Sequence, residues 1–230
     1  MKMKTLAIVV LAIAVATEAK TEEKVQVKTH FKPLFAKFGE DSTTKIKVVS
    51  GPEDVKMRNG RVAGKRWIAT CGKFRFKLTI QDSTEVKLEQ LVGRLEKLPK
   101  PYMKACVAVS DEGEDGIAIY ASLGGARAHG GQGYINLIPS AGALVIAHEA
   151  GHTLEQVARK AEPKLMEMWI DAIKSDKIEL SDYANHSHSE DLAEFAQVYA
   201  VCLGAGPEHL TKLKKLSPAR TALWEKILGP

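Results

Sequence analysis

Hydrophobic and polar positions follow different patterns in the two halves of the chain. Up to about residue 138, short apolar runs, some alternating with polar positions, predict β-strands. The predicted strands are Ile46 to Val49, Trp67 to Thr70, Phe74 to Ile80, Met103 to Val109, Ile117 to Ala121 and Tyr134 to Ile138. One amphipathic segment, from about Thr84 to Leu98, predicts a helix that ends before Pro99.

Beyond residue 139, the apolar residues recur at helical spacing. The predicted helices are Ala141 to Lys160 with Ser140 as N-cap, Lys164 to Ser175, a helix capped by Ser189 and running to about Leu203, Pro207 to Leu216, and Ala219 to Leu228. A strand-rich part over about 20–138, followed by a helical part over 139–230, predicts a single domain of the α+β class. We expect an active-site helix at the cleft between the two parts.

Two connections in the first half are predicted from their composition. The acidic segment 111–116 predicts a hairpin turn between two strands. The segment 123–133 contains five glycines and predicts a flexible surface loop, with a mobile flap beside an active site as the functional alternative. The strand that follows would then be a sheet edge, to which an extended peptide can be added. The predicted substrate-binding positions are Gly133, Tyr134, Ile135 and Asn136.

Residues 1–19 have the composition of a secretory signal peptide. Lys2 and Lys4 precede eleven apolar residues, Leu6 to Ala16, a run too short for the ~20 residues of a membrane span but typical of a signal sequence. Cleavage is predicted after Ala16 or Ala19. We therefore expect a secreted protein without a membrane span, or a periplasmic one in a Gram-negative bacterium.

The segment His148-Glu149-Ala150-Gly151-His152 carries the clearest chemistry. On a helix, the two histidines lie about 6 Å apart on one face, close enough to share one ion, whereas a strand would separate them by about 13 Å. This is the zinc hydrolase pattern, in which two histidines bind Zn²⁺ and the glutamate activates a water molecule.

A catalytic zinc normally has three protein ligands, so a third is required. The positions at which metzincins carry glycine and histidine are Glu155 and Ala158 here, which excludes that solution. Glu155 is predicted instead to form a surface pair with Arg159 at i,i+4. The remaining common solution is a glutamate from a second helix.

The segment 181–196 offers that glutamate. Glu190 and Glu194 are four residues apart on a predicted helix, where like charges repel by ~0.2–0.5 kcal/mol unless a cation lies nearby. We assign Glu190 as the third ligand and Glu194 as the carboxylate that holds a zinc-bound histidine by its other ring nitrogen. The phenol of Tyr183, seven residues before Glu190, is placed to donate a hydrogen bond to a developing oxyanion.

The HEAGH motif followed by Tyr-x₆-Glu-Asp-x-Ala-Glu-Phe resembles the catalytic domain of anthrax lethal factor and the small secreted Pro-Pro endopeptidases. The similar stretch runs from about Lys104 to Leu203, under half of the chain. The resemblance implies that His148, His152 and Glu190 bind zinc, with Glu149 as general base and Tyr183 stabilising the transition state. It also implies substrate binding on the strand before the metal helix.

Charge and cysteine content indicate less about the function than the motif does. The formal net charge is +5, and the basic residues are scattered along the sequence, which favours a solvated surface over a nucleic-acid site. Of the three cysteines, Cys71 and Cys106 lie in strand-like segments and are candidates for a disulfide, while Cys202 is predicted to lie in the core.

The sequence therefore predicts a secreted zinc-dependent endopeptidase that acts on a peptide or protein. Two alternatives stay open: a zinc amidase or other hydrolase with a different substrate, and a non-catalytic secreted binding module on a peptidase fold. Glu149 and Tyr183 argue against the second, because such modules typically lose the base or the oxyanion donor. His186 and His188 are interpreted as residues of a solvated loop rather than as proton donors.

Overall fold

A computed structural model describes residues 26–58 and 60–229. The predicted signal peptide lies outside these residues. The strands are β1 (Lys47–Met57), β2 (Val62–Cys71), β3 (Phe74–Gln81), β4 (Ile117–Ile119), β5 (Ala128–Gly131) and β6 (Tyr134–Leu137). The helices are α1 (Lys32–Ala36), α2 (Leu88–Leu95), α3 (Met103–Glu112), α4 (Ala143–Ala161), α5 (Leu165–Asp176), α6 (His188–Ala205), α7 (Pro207–Leu216) and α8 (Pro218–Leu228).

The strands form one six-stranded mixed sheet in the order β1-β2-β3-β4-β6-β5. β1, β2 and β3 pair antiparallel, β4 and β6 run parallel to β3, and β5 pairs antiparallel to β6. The α+β class, with the sheet in the first half and mostly helices in the second, is confirmed. β6 lies between β4 and β5, so the prediction of the Tyr134 strand as a sheet edge is wrong.

The first half contains more helix than predicted. Met103 to Val109 forms most of α3 instead of a strand. Its apolar run is continuous, and such a run does not distinguish a buried strand from a buried helix. Met103, Cys106 and Val109 recur at three-residue spacing on a face that is fully buried. The acidic segment 111–116 consequently leads from a helix into β4 and is not a hairpin turn.

One hydrophobic cluster joins the sheet to the helices, from Val27 to Leu228. Cys71, Cys106 and Cys202 are all buried free thiols, so the predicted disulfide is not formed, whereas the core position of Cys202 is confirmed. Burial raises the pKa of Cys106 and of Cys202 to about 12, which keeps both thiols protonated. Among the described residues, no helix has the length and apolar character needed to cross a membrane.

Candidate metal centre

Helix α4 carries the HEAGH segment and is held against the sheet edge. Its first residue is Ala143 and its N-cap is Gly142 rather than Ser140. Thr153 donates a hydrogen bond to the carbonyl of Gly131 at 3.2 Å. Gly130 packs so closely against α4 that a β-carbon there would lie 2.5 Å from the carbonyl oxygen of Glu149. Strand β5 therefore runs directly beside the motif.

The two histidines lie one turn apart on α4, as predicted. The centroids of the His148 and His152 rings are 4.9 Å apart, and the ring planes are inclined at 83°. Both side chains are mostly buried, with 10% and 13% of their surface exposed. The helix thus presents two imidazoles to one small volume.

Gly151 brings α6 to that volume. A β-carbon at this position would lie 2.7 Å from the β-carbon of Ala196 and 2.9 Å from the α-carbon of Ala193. These distances are well below ordinary carbon contacts, so only glycine permits this helix-to-helix approach. The glycine of the motif therefore determines how near α6 comes to the histidines.

Glu190 completes the group. Its Oε2 atom lies 3.1 Å from Nε2 of His148 and 3.6 Å from Nε2 of His152. This oxygen is buried and makes no well-aligned hydrogen bond, although both ring nitrogens lie close to it. One ligand atom from each of the three residues lies within 4.8 Å of the other two, so the group can hold a metal ion. Interaction with His148 and His152 holds the pKa of Glu190 far below its ordinary value.

Glu194 lies behind His148, as predicted. Its Oε1 is 3.4 Å from Nδ1 of His148, while its Oε2 accepts from Lys28 at 2.5 Å and from Ser181 at 2.9 Å. Burial would raise the pKa of Glu194, but hydrogen bonds from His148, Lys28 and Ser181 outweigh it and lower the value to about 2. Burial likewise would lower the pKa of His148, but Glu190 and Glu194 raise it to about 9. Ionised Glu194 can thus fix the ring orientation of His148.

His152 has a corresponding support that the sequence interpretation missed. Ser189 Oγ lies 3.2 Å from Nδ1 of His152 and donates to Glu155 Oε2 at 3.4 Å. Glu155 pairs with Arg159 at 3.2 Å as predicted, yet it is only 2% exposed, so its assignment as a surface residue is wrong. Ser189 is free for this contact because the N-cap of α6 is Ser187, which accepts from the Glu190 amide.

Glu149 is buried beside the two histidines and outside the ligand group. Burial raises its pKa, against the opposing effect of His148 and His152. A higher pKa makes this carboxylate a stronger proton acceptor. His129 on β5, to which the sequence interpretation gave no role, also interacts electrostatically with Glu149. No local pattern in the sequence marks that pair.

Tyr183 lies at the open side of the centre. Its ring centroid is 5.8 Å from that of His148, and the residue is 51% exposed. Partial burial, together with the carboxylates of Glu190, Glu149 and Glu194, raises its pKa, so the phenol stays protonated at neutral pH. His186 packs against this ring at 5.2 Å, and its Nδ1 lies 2.8 Å from the Tyr183 carbonyl. His188 is exposed at the start of α6.

A buried ion-pair network anchors the start of α6. Arg220 of α8 is 1% exposed and donates to both carboxylate oxygens of Asp191 at 2.9 Å. Trp169 of α5 donates to the same carboxylate at 2.9 Å. Since Asp191 follows Glu190 directly, this network helps to fix the position of Glu190. The sequence interpretation did not identify Arg220.

The predicted substrate positions do not lie on an edge strand of the sheet. Gly133 belongs to the turn before β6, while Ile135 is buried and pairs with both β4 and β5. Asn136 faces His129 across the β5–β6 pair, and Tyr134 is exposed at its end. The edge beside the metal helix belongs to Ala128–Gly131, inside the segment predicted to be a loop. Because this segment is rich in glycine, its sequence predicted a loop instead of a strand.

Comparisons with known protein families, with curated proteins and with solved structures find no match to this chain. The likeness to lethal factor therefore consists of the motif residues described above, and family membership stays a prediction.

Proposed function

We propose that this protein is a secreted zinc-dependent endopeptidase of the lethal factor-like kind. The observation that carries the proposal is the convergence of ligand atoms from His148, His152 and Glu190 on one small volume, where the buried Oε2 of Glu190 makes no well-aligned hydrogen bond. In a tetrahedral zinc site with bonds of 2.0–2.2 Å, neighbouring ligand atoms lie about 3.4 Å apart. The two separations between Glu190 and the histidines, 3.1 and 3.6 Å, fall on either side of this value.

The surroundings support zinc hydrolysis over other metal chemistry. Two histidines and one carboxylate also hold iron(II) in oxygenases. Here, however, both histidines come from one helical turn, and Glu149, whose pKa burial raises, lies beside them. That combination is the pattern of zinc hydrolases. Zinc sites commonly orient each histidine through a contact to its second ring nitrogen, as Glu194 contacts His148 and Ser189 contacts His152 here.

Each residue of the site has a distinct role in the proposed hydrolysis. A zinc ion held by the three ligands would lower the pKa of a water molecule toward 7 and polarise the scissile carbonyl. Glu149 accepts a proton from the attacking water and passes it to the leaving amine. Tyr183, kept protonated by its raised pKa, donates a hydrogen bond to the developing oxyanion.

Strand β5 is the proposed substrate-binding edge, in place of the β6 positions. It is one of the two edge strands of the sheet, and its Gly130 packs against the backbone of Glu149. An extended peptide added to this edge would lie alongside the catalytic residues. Its backbone would pair with the backbone of β5, which requires no particular side chains there.

A peptide-library digestion tests the function. We expect the zinc-loaded protein to cleave internal peptide bonds, a chelator to abolish cleavage, and Glu149→Gln to keep its zinc while kcat falls by about 10²–10⁴. Glu167→Gln, the same change at an exposed position of α5, is the matched control and should cleave normally. Bound zinc without cleavage of any peptide would instead indicate a hydrolase of another substrate class, and a fully active Glu149→Gln would refute the assigned base.

A further inference from the structure

A basic groove opens at the start of α4, beside the proposed active site. Its volume is about 880 Å³. Its cationic lining comes from three separate parts of the chain, which explains why the basic residues look scattered in the sequence. These residues are Lys28, Arg94, Lys97 and Arg127. Among the described residues that line it, there is no aspartate or glutamate.

Several of these charges lack a counter-charge. Lys28 is paired with Glu194, and Arg94 donates to the carbonyl of Ala141 at 3.1 Å. Within the described part of the chain, no carboxylate lies within ion-pair distance of Arg94, Lys97 or Arg127. Burial lowers the pKa of Arg94, as expected for a cation that is removed from water without a neutralising partner. An anion in the groove would offset that cost.

The helix itself adds to the positive potential. α4 has 19 residues, no side chain caps its N-terminus, and its first turn contains no acidic residue. Its first amide groups therefore present a partial positive charge to the groove, which Gly142 and Ala143 line. Phe35, Phe38 and Leu144 provide apolar surface in the same groove. Charged and apolar lining together suit a polypeptide segment better than a free ion.

The groove adjoins the proposed active site. Lys28 contacts Glu194, which in turn contacts His148. Leu144 lies one turn before His148 on α4, and Arg127 directly precedes β5. From Gly130, which packs on Glu149, to Arg127 is three residues of extended chain, about 10 Å. A peptide lying along β5 would therefore reach the groove within about three residues of the scissile bond.

We propose that the basic groove binds aspartate and glutamate side chains of the substrate peptide and so determines cleavage specificity. This inference rests on the proposed endopeptidase function. Antiparallel pairing is slightly more stable per residue than parallel pairing. A substrate paired antiparallel to β5 has its C-terminal residues nearest Arg127, so we expect the acidic preference two to four residues after the cleaved bond.

Charge removal on the groove tests the proposal in the cleavage profile. The double variant Lys97→Gln/Arg127→Gln removes two exposed cations. Lys73→Gln/Arg75→Gln removes two exposed cations outside the groove and changes net charge equally. We expect the groove variant to lose the acidic preference, with kcat/KM for acidic peptides reduced about tenfold, and the control to match wild type. A preference on either side of the scissile bond that only the groove variant loses supports the proposal, whereas an unchanged profile overturns it.

A binding measurement separates failure of the groove from failure of the enzyme. Zinc-loaded Glu149→Gln is titrated with a fluorescent peptide containing Asp and Glu, and with its Asn/Gln counterpart. We expect tighter binding of the acidic peptide, weakened by added salt and by the groove substitutions but not by the control pair. Such binding without any cleavage by wild type would support the groove and refute the endopeptidase. Equal binding of both peptides, or equal loss in both double variants, would overturn the groove proposal, and thermal unfolding confirms that the variants are folded.

Discussion

Gly151 allows α4 and α6 to approach closely enough for the proposed metal site, and Gly151→Ala tests this geometry. The added β-carbon would lie 2.7 Å from the β-carbon of Ala196 and 2.9 Å from the α-carbon of Ala193. Ordinary carbon contacts are about 3.5–4.0 Å, so the two helices must separate by roughly 0.8 Å. Because His148 and His152 lie on one helix and Glu190 on the other, the ligand group opens by a similar amount.

The expected loss of stability in Gly151→Ala follows from comparison with a matched glycine. Gly204 of α6 has open space around it, and a β-carbon added there would meet nothing within 4 Å, so Gly204→Ala gains helix propensity without a clash. Since the propensity gain of up to about 1 kcal/mol is common to both variants, their difference reports the clash. We expect Gly151→Ala to be less stable than Gly204→Ala by about 1–3 kcal/mol, or roughly 2–12 °C in Tm.

Metal affinity is the more specific measurement. Metal–ligand distances tolerate errors of about 0.2 Å, so a shift of roughly 0.8 Å should weaken zinc binding by about tenfold or more. Competition with a chromophoric chelator measures this affinity, and thermal unfolding with EDTA measures the stability of the metal-free protein. If Gly151→Ala matched Gly204→Ala in both measurements, the close helix approach would not be what forms the site.

Three further changes have distinct expected outcomes. Tyr183→Phe should lower kcat by about 10²–10³ with zinc affinity unchanged, because it removes only the proposed oxyanion donor. Steady-state kinetics and zinc titration check this. Arg220→Ala should reduce the free energy of unfolding by about 3–5 kcal/mol, since it leaves Asp191 buried without its cation. The control Lys226→Ala, at an exposed position, should change it by less than about 0.5 kcal/mol. Urea unfolding measures both values. The folded-state pKa of Glu194 is lowered to about 2, so its contribution to the stability of the zinc-free protein is complete above its ordinary pKa and is lost as pH falls toward 2. Urea unfolding between pH 5 and pH 3 should show a smaller loss in Glu194→Gln, and an equal loss would contradict this role.

The sequence predicted the two helices of the site because their residue spacing reflects the contacts directly. His148 and His152 are four residues apart, which is about one helical turn, and the same spacing places Glu190 and Glu194 on one helix face. The placement of these four residues needs only helix geometry and an approach of α4 to α6. Gly151 provides that approach, and its role became visible only from the packing against Ala193 and Ala196.

The parts that sequence reasoning missed depend on contacts between distant segments. Ser189 links His152 to Glu155 only because α4 and α6 pack side by side. The basic groove collects cations from three distant segments. The edge strand β5 has the sequence Ala-His-Gly-Gly, which lacks the β-branched and aromatic residues that mark strands, and it forms because β6 supplies a pairing partner.

Anomalous X-ray diffraction at the zinc edge tests the central claim most directly. A crystal of the protein purified with zinc should show one strong anomalous peak per chain, about 2.0–2.2 Å from Nε2 of His148, Nε2 of His152 and a carboxylate oxygen of Glu190. Glu190→Ala crystals should show this peak weakened or lost. A fully loaded protein with no peak between these three side chains, or with its zinc bound elsewhere, would contradict the assignment of the metal centre and of the activity proposed from it.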